Sequence, residues 1–277
     1  MVNQCRKENH NKNWILNGNT KKICSGCVDL RLIDDDFMAA VFEDRTCAEF
    51  LLQIILKRDD LTVKEVHGQY SIKNLQGRSI RLDILAVDQK NRAYNIEVQR
   101  SDRGASEKRA RYNSSLLDAN LTDAGDDYDA LNETYVIFIT ENDVLKDGLP
   151  IYHVERTVQE TGTVFNDQAH IVYVNSQIKD ETALGKLMHD FFCTNSKDMY
   201  YPVLANRVWY FKENEKGVAT MCRAMEQMRD ETAAEQNIKT LLVSVKNLMK
   251  NMNLSPEQTM NAMGISEADR QALLQLL

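Results

Sequence analysis

The stretch that decides the fold runs Arg81-Leu82-Asp83-Ile84-Leu85-Ala86-Val87, then a polar turn at 88–92, then Ala93-Tyr94-Asn95-Ile96-Glu97-Val98-Gln99. Both runs alternate apolar with polar side chains, which is the two-residue period of strands that have one apolar face. The sequence therefore predicts strands at 79–87 and 93–100, joined as an antiparallel hairpin in a sheet that is buried on one side.

A hairpin centred on Lys90 places Asp83 directly opposite Glu97, and Arg81 opposite Gln99. Directly opposed side chains have Cβ atoms about 4.5–5.5 Å apart, where like charges destabilise a sheet. A divalent cation between the carboxylates explains the pair, since Mg²⁺ is typically held by one or two carboxylates, and Mn²⁺ can replace it. Gln99 shares the face of Glu97 and could position a water molecule. The alternative is a solvated surface whose acids pair with Arg81 or Lys90.

A basic stretch follows the second strand directly. Between positions 100 and 111, five basic residues stand against two acidic ones: Arg100, Arg103, Lys108, Arg109 and Arg111 against Asp102 and Glu107. This local excess is notable because the whole chain has 34 Lys+Arg against 41 Asp+Glu and a net charge of -7. We expect Arg81, Arg100, Lys108, Arg109 and Arg111 to contact a phosphate backbone. A solvated helix face is the alternative.

The periodicity around the hairpin predicts the order helix, three strands, helix, strand. The predicted elements are a helix at 34–56 that breaks near 44–46, a strand at 63–72, the hairpin, a helix at 105–121 ending before Gly125, and a strand at 134–140. Further elements are predicted at 171–174, 183–192 and 203–231, with two short helices after Ser255. This organisation divides the chain into a flexible segment 1–28, an α/β domain 29–231 and a small helical region 232–277.

The composition of the 277-residue chain excludes some classes of protein. It holds no apolar run that could span a membrane and no apolar stretch of a signal peptide near position 1, so we expect no membrane partner and a cytoplasmic location. The net acidity excludes a protein that coats nucleic acid by bulk charge. The six cysteines are expected to be reduced thiols. Cys24 and Cys27 form a CxxC pair, for which structural zinc is the alternative.

An acid in one strand, then Glu97-Val98-Gln99 in the next, within this order of elements, resembles the PD-(D/E)XK nuclease superfamily. More narrowly, the chain is similar to the PD-(D/E)XK nuclease family transposases, also called recombination-promoting nucleases. The supporting segments are Leu32-Ile33-Asp34-Asp35-Asp36-Phe37, Arg109-Ala110-Arg111-Tyr112-Asn113-Ser114-Ser115, 134–141, Gly148-Leu149-Pro150-Ile151-Tyr152 and Leu187-Met188-His189-Asp190-Phe191. The resemblance covers roughly 29–230.

This resemblance implies an α/β fold with a restriction-endonuclease-like core and a helical C-terminal extension. It also implies a Mg²⁺-dependent DNA endonuclease associated with transposition or recombination. Asp83 matches the first acid of the motif and Glu97 the second, both as metal ligands, and Glu49 falls where many members carry an auxiliary acid. A solvated helix position is the alternative for Glu49. Gln99 stands where the motif has lysine, and Lys108 or Arg81 could supply the missing charge.

Two other functions stay open at this point. A DNA-binding relative that has lost catalysis is compatible with Gln99 in place of lysine. A protein-interaction module could use the acidic surface and the C-terminal helices. The sequence leaves homodimerisation open.

Overall fold

The computed structural model describes residues 14–17, 21–24, 29–72, 74, 78–100, 102–123 and 125–277. It forms two compact units, residues 1–219 and 220–277. Within the segment predicted to be flexible, two short strands pair with each other, β1 (Trp14–Asn17) and β2 (Lys21–Cys24). The thiol pair of Cys24 and Cys27 lies outside the side chains that the structure describes.

The remaining elements follow the order predicted for an α/β core. They are α1 (Asp35–Phe42), α2 (Arg45–Leu56), β3 (Val63–Ile72), β4 (Ile80–Asp88), β5 (Ala93–Gln99), α3 (Glu107–Leu121), β6 (Thr134–Thr140), β7 (Ile151–Val154), β8 (Ala169–Asn175), α4 (Ala183–Phe192), α5 (Pro202–Glu213), α6 (Glu215–Met252), α7 (Pro256–Ala262) and α8 (Glu267–Leu274). The predicted sequence of helix, three strands, helix and strand is confirmed by α1–α2, β3–β5, α3 and β6.

The sheet of the first unit has six strands in the order β3-β4-β5-β6-β8-β7. Strands β3, β4 and β5 form an antiparallel meander, whereas β5, β6 and β8 run parallel, and β7 adds an antiparallel edge. Strand β5 is therefore where the antiparallel part of the sheet meets the parallel part. Open α/β sheets commonly place their sites beyond the carboxyl ends of such strands.

The expectation of a sheet buried on one side is wrong for β5, because every residue from Ala93 to Val98 is buried. Helix α1 contacts β4 and β5. Helix α3 covers the face that carries Ala93, since Leu116 and Leu117 pack with Ala93 and Leu85 in one core cluster. Two-sided burial places the polar side chains of β5 in the interior.

Smaller differences separate the predicted helices from the observed ones. The predicted break in the first helix is confirmed, because the Asp44 side chain accepts hydrogen bonds from the backbone N–H groups of Thr46 and Cys47 and begins α2 there. The predicted end of α3 at Leu121 is confirmed, but the residue that caps it is Thr122, in an extended conformation, and not Gly125. Strand β7 was missed because a short edge strand has little periodicity.

The second unit consists of helices. Its core is formed by Val245, Met260, Ile265 and Leu273, so α7 and α8 pack with the latter part of α6. Ser255 begins α7 with a capping box to Gln258, as the Ser255-Pro256 signal predicts. The units divide at residue 219, inside α6, whereas the sequence predicts a boundary near 231. No helix in the described part of the chain is both long and apolar enough to cross a membrane.

The turn between β4 and β5 is held by Asp88, whose side chain is buried. Its carboxylate accepts hydrogen bonds from the backbone N–H groups of Lys90 and Arg92, from the Arg92 guanidinium at 2.7 Å and from the Tyr94 hydroxyl at 2.9 Å. A turn fastened in this way fixes the register of the two strands that it joins.

We expect Asp88→Asn to lower the free energy of unfolding by about 1–3 kcal/mol. The substitution removes the negative charge that faces Arg92, and it leaves one acceptor oxygen where the carboxylate has two. Urea denaturation followed by circular dichroism measures the change. Asp59→Asn, at an exposed position nearby, is the control and should change it by less than about 0.5 kcal/mol. Equal effects of the two substitutions would contradict the role given to Asp88.

Candidate active site

Asp83 and Glu97 lie at the end of the β4–β5 ladder that is far from the Asp88 turn. The observed pairs are Ile84↔Ile96, Leu85↔Asn95, Ala86↔Tyr94 and Val87↔Ala93. This is the register predicted from a turn centred on Lys90. Asp83 and Glu97 are the residues that follow the last pair, so the sequence correctly predicted their juxtaposition.

The Asp83 carboxylate reaches across to β5, where its Oδ2 accepts a hydrogen bond of 3.0 Å from the backbone N–H of Val98. Burial raises the pKa of Asp83 well above the usual range, and the Val98 contact lowers it. The negative charge of Asp35 raises this pKa further, whereas Arg109 and Arg81 lower it. The raised pKa indicates a carboxyl that holds a proton more tightly than an exposed aspartate does.

Glu97 is fully buried. Its Oε2 accepts a hydrogen bond of 2.7 Å from the Arg109 guanidinium, and its Oε1 has no hydrogen-bond partner among the described residues. Burial raises the pKa of Glu97, and the charge of Asp83 adds to the effect. Arg109 and the nearby Asn95 amide act in the opposite direction. Oε2 of Glu97 is thus paired with the Arg109 guanidinium, whereas Oε1 is a buried acceptor without a hydrogen-bond partner among the described residues.

Arg109 connects the residues of the motif. Its Nη1 donates to the Gln99 Oε1 at 3.3 Å and to the Gly104 carbonyl at 2.8 Å, while Nη2 donates to Glu97. The guanidinium also lies 5.9 Å from the centre of the Phe138 ring. Ser106 caps α3 by accepting from the backbone N–H of Arg109, so this side chain belongs to the first turn of the helix.

Gly104 makes the Gln99–Arg109 contact possible. A Cβ atom at position 104 would lie 1.7 Å from the Gln99 Oε1 and 2.7 Å from its Cδ. Only glycine leaves room for the amide of Gln99 in this place. The sequence carried no signal for this role, because Gly104 lies in a basic stretch whose contacts depend on how α3 docks.

Two asparagines of these elements are buried, Asn95 on β5 and Asn113 on α3. The amide atoms of both asparagines have no hydrogen-bond partner among the described residues. Strand β5 and helix α3 therefore each bury a polar amide, and buried amides of this kind are normally hydrogen-bonded.

The donor set fits a hard divalent cation. Asp83 and Glu97 provide carboxylate oxygens, and the buried Oε1 of Glu97 is an acceptor that lacks a hydrogen-bond partner among the described residues. Unpaired buried acceptors are unfavourable, and a cation satisfies them. Oxygen ligands of this kind suit Mg²⁺ and Mn²⁺ better than softer metals.

The structure does not bring Glu49 to this pair. Its Oε2 accepts a hydrogen bond of 2.8 Å from the backbone N–H of Val63, which is paired with Asp88 in the sheet. That point is about 16 Å along β4 from Asp83, at the strand rise of about 3.3 Å per residue. Asp35, the first residue of α1, is instead the acid whose charge acts on Asp83. The sequence showed Asp35 only as part of an acidic helix start.

The predicted phosphate contacts divide into three groups. Arg81, Lys108 and Arg111 are exposed. Arg100 is paired with Asp34 at 3.0 Å and with Glu141 at 3.1 Å, although about half of its side chain is exposed (53%). Arg109 points into the site, where it contacts Glu97.

A second cluster of ligand-type side chains, His189, Asp190 and Cys193, lies at the end of α4. Both carboxylate oxygens of Asp190 already accept backbone N–H groups, from Tyr200 at 2.8 Å and Tyr201 at 2.9 Å. Burial, with a smaller effect of Asp190, raises the pKa of Cys193 to about 11, so its thiol keeps its proton at neutral pH. These contacts assign the cluster to local structure.

The first unit has a restriction-endonuclease-like core. It consists of a six-stranded mixed sheet with helices on both faces, and the paired acids lie where the antiparallel meander of this sheet ends. The family model of the PD-(D/E)XK nuclease family transposases matches residues 47–189, just over half of the chain, and the chain belongs to this family. Neither a curated protein nor a solved structure matches the chain. The family supports a nuclease or transposition-related role, implies DNA as substrate and typically uses divalent metals.

The raised pKa of Asp83 makes a prediction about stability in the absence of metal. Ionisation of Asp83 is less favourable in the folded state than in the unfolded chain, so the folded protein loses stability as the pH rises from the unfolded pKa to the folded one. Asp83→Asn removes this loss and can still accept from Val98. We expect the substitution to stabilise the metal-free protein, and by about 1 kcal/mol more at about pH 8 than at about pH 5.

Urea denaturation in the presence of a chelator measures both values. Asp59→Asn, which removes an exposed carboxylate, controls for the change in net charge. A stabilisation that is equal at the two pH values would contradict the prediction.

Proposed function

We propose that the protein is a Mg²⁺-dependent endonuclease that hydrolyses phosphodiester bonds of DNA in transposition or recombination. The observation that supports this best is the pair of Asp83 and the buried Glu97, whose Oε1 lacks a partner among the described residues. A cytoplasmic location and homodimerisation stay predictions of the sequence.

In this proposal Asp83 and Glu97 hold the metal ion. A divalent ion bound by these carboxylates supplies positive charge against the scissile phosphate and lowers the pKa of bound water. The raised pKa of both carboxyls means that metal binding displaces protons, so affinity increases with pH. Mn²⁺ is the expected substitute for Mg²⁺.

Gln99 is the residue proposed to position the attacking water. Its amide has no proton-accepting group near neutral pH, so it orients and does not act as a base. Because Oε1 of Gln99 accepts from Arg109, the amide N–H groups are the part of the side chain left for water or phosphate.

The exposed Arg81, Lys108 and Arg111 are proposed to contact the phosphates that flank the scissile bond. The basic stretch lies immediately after β5, next to the carboxylate pair, which suits a duplex laid across the site. Arg100 is included in this set through its exposed part, while its ion pairs with Asp34 and Glu141 fix where its stem lies.

A DNA-binding relative without catalysis is the second candidate, and Gln99 in place of the motif lysine is the observation that favours it. The two functions differ in one measurable respect. An endonuclease nicks a plasmid only when a divalent metal is present, whereas an inactive relative binds DNA without cutting it.

We expect Asp83→Asn and Glu97→Gln each to reduce Mg²⁺-dependent nicking of a supercoiled plasmid by about a hundredfold or more, because each removes a charged metal ligand. Gel separation of supercoiled, nicked and linear plasmid measures the rate, and added chelator should abolish it. Lys90→Gln, in the turn at the far end of the hairpin, is the matched control and should keep the wild-type rate. A wild-type protein that does not nick with Mg²⁺ or Mn²⁺ would favour the inactive relative.

Asp35 and Glu49 provide a second comparison. Asp35→Asn should lower the nicking rate by about tenfold, since the negative charge beside Asp83 strengthens the attraction for a cation. Glu49→Gln should lower the unfolding midpoint, through its contact with Val63, and leave the nicking rate of folded protein nearly unchanged. The same plasmid assay, with a thermal melt of each variant, measures both. A loss of nicking rate in Glu49→Gln, with little change in Asp35→Asn, would contradict this prediction and support Glu49 as the auxiliary acid.

A further inference from the structure

We propose that Arg109, on helix α3, supplies the positive charge that the strand lysine supplies in a PD-(D/E)XK motif. Gln99, which stands at the position of that lysine, accepts a hydrogen bond from Arg109 and so connects this charge to the motif. The inference rests on the proposed nuclease function and names a residue of that same site. The sequence assigned Arg109 to the phosphate backbone and suggested Lys108 or Arg81 as the compensating cation.

The position of the charge supports Arg109. Its guanidinium donates to the second acid of the motif, Glu97, and to the residue at the lysine position, Gln99. A lysine at position 99 would bring its ammonium from the same strand to the same neighbourhood. Here the strand residue is a neutral amide, and the cation reaches it from the opposite side of the interface.

The guanidinium is held in one place by its surroundings. The Gly104 carbonyl accepts from Nη1 at 2.8 Å, the Phe138 ring packs against it, and Ser106 fixes the backbone of the residue at the helix start. Arginine suits this arrangement because its planar fork has enough donors to reach Glu97, Gln99 and Gly104 together.

The other basic side chains of the region are placed differently. Lys108 and Arg111 are exposed on α3, and Arg100 is paired with Asp34 and Glu141. Arg81 lies on the exposed part of β4 and acts on Asp83 through its charge. Among the described basic residues, Arg109 is the one that donates hydrogen bonds to both Glu97 and Gln99.

Moving the charge back to the strand tests the proposal. The variants are Arg109→Gln, Arg109→Lys and the double substitution Arg109→Gln/Gln99→Lys, with Lys90→Gln as the control for loss of one cation. Each is assayed for plasmid nicking with Mg²⁺ and Mn²⁺, for Ca²⁺ affinity by calorimetry, for DNA binding in Ca²⁺ by fluorescence anisotropy, and for its thermal melt.

Arg109→Gln should lose about a hundredfold in nicking rate while its Ca²⁺ and DNA dissociation constants change by less than about threefold. Arg109→Lys should stay within about tenfold of wild type, since it keeps the charge and loses the fork. The double variant should recover at least about tenfold over Arg109→Gln, although its melt stays as low, because Gln99→Lys restores the cation without restoring the α3 contact.

Three outcomes overturn the proposal. In the first, Arg109→Gln nicks like the wild type, and in the second the double variant folds but nicks no faster than Arg109→Gln. In the third, Arg109→Gln loses enough Ca²⁺ affinity to account for its whole loss of nicking rate. The last result would make Arg109 an anchor that only holds Glu97. A wild type that does not nick, and that matches Asp83→Asn, overturns the proposed function itself and this inference with it. If the wild type nicks but the double variant with lysine at position 99 does not recover activity, only the inference is overturned.

Discussion

The carboxylates of Asp83 and Glu97 repel each other in a region where burial has removed most of the water that would screen them, and the neighbouring elements each offset part of that repulsion. The backbone N–H of Val98 donates to Asp83, the guanidinium of Arg109 donates to Glu97, and the Asn95 amide lies near the same carboxylate. The pKa of both carboxyls stays raised despite these contacts. A site in this condition attracts protons or cations, which is what the proposed role in metal binding requires.

The sheet explains why the acids meet at all. Asp88 fastens the turn at one end of the hairpin, and the fixed register carries Asp83 and Glu97 to the same level at the other end. Strand β5 also pairs in parallel with β6, so it has an antiparallel neighbour on one side and a parallel neighbour on the other. Helix α3 follows directly and brings Arg109 back over the strand that precedes it.

The sequence was sufficient where the chemistry is local. The alternation along 81–87 and 93–99 and the short polar turn were enough to predict the register, and with it the Asp83–Glu97 pair. Burial of the polar face of β5 was not predictable, because α3 presents Asn113 and Ser114 beside Leu117 and so has a weakly apolar interior face. Glu49 and Asp35 show the same limit. Both are acids at helical positions, and only the packing of α1 and α2 on the sheet decides which one acts on Asp83.

The close approach of Gln99 to Gly104 has a consequence for how such a chain can change over generations. A side chain at position 104 is excluded as long as the Gln99 amide lies against it, so the two positions are not independent. In a relative with lysine at position 99 the amide is absent, so the requirement for glycine at 104 is relaxed together with that for arginine at 109. Residues 99, 104 and 109 should therefore vary as a group among relatives, with Gln, Gly and Arg as one combination and a lysine-centred set as the other.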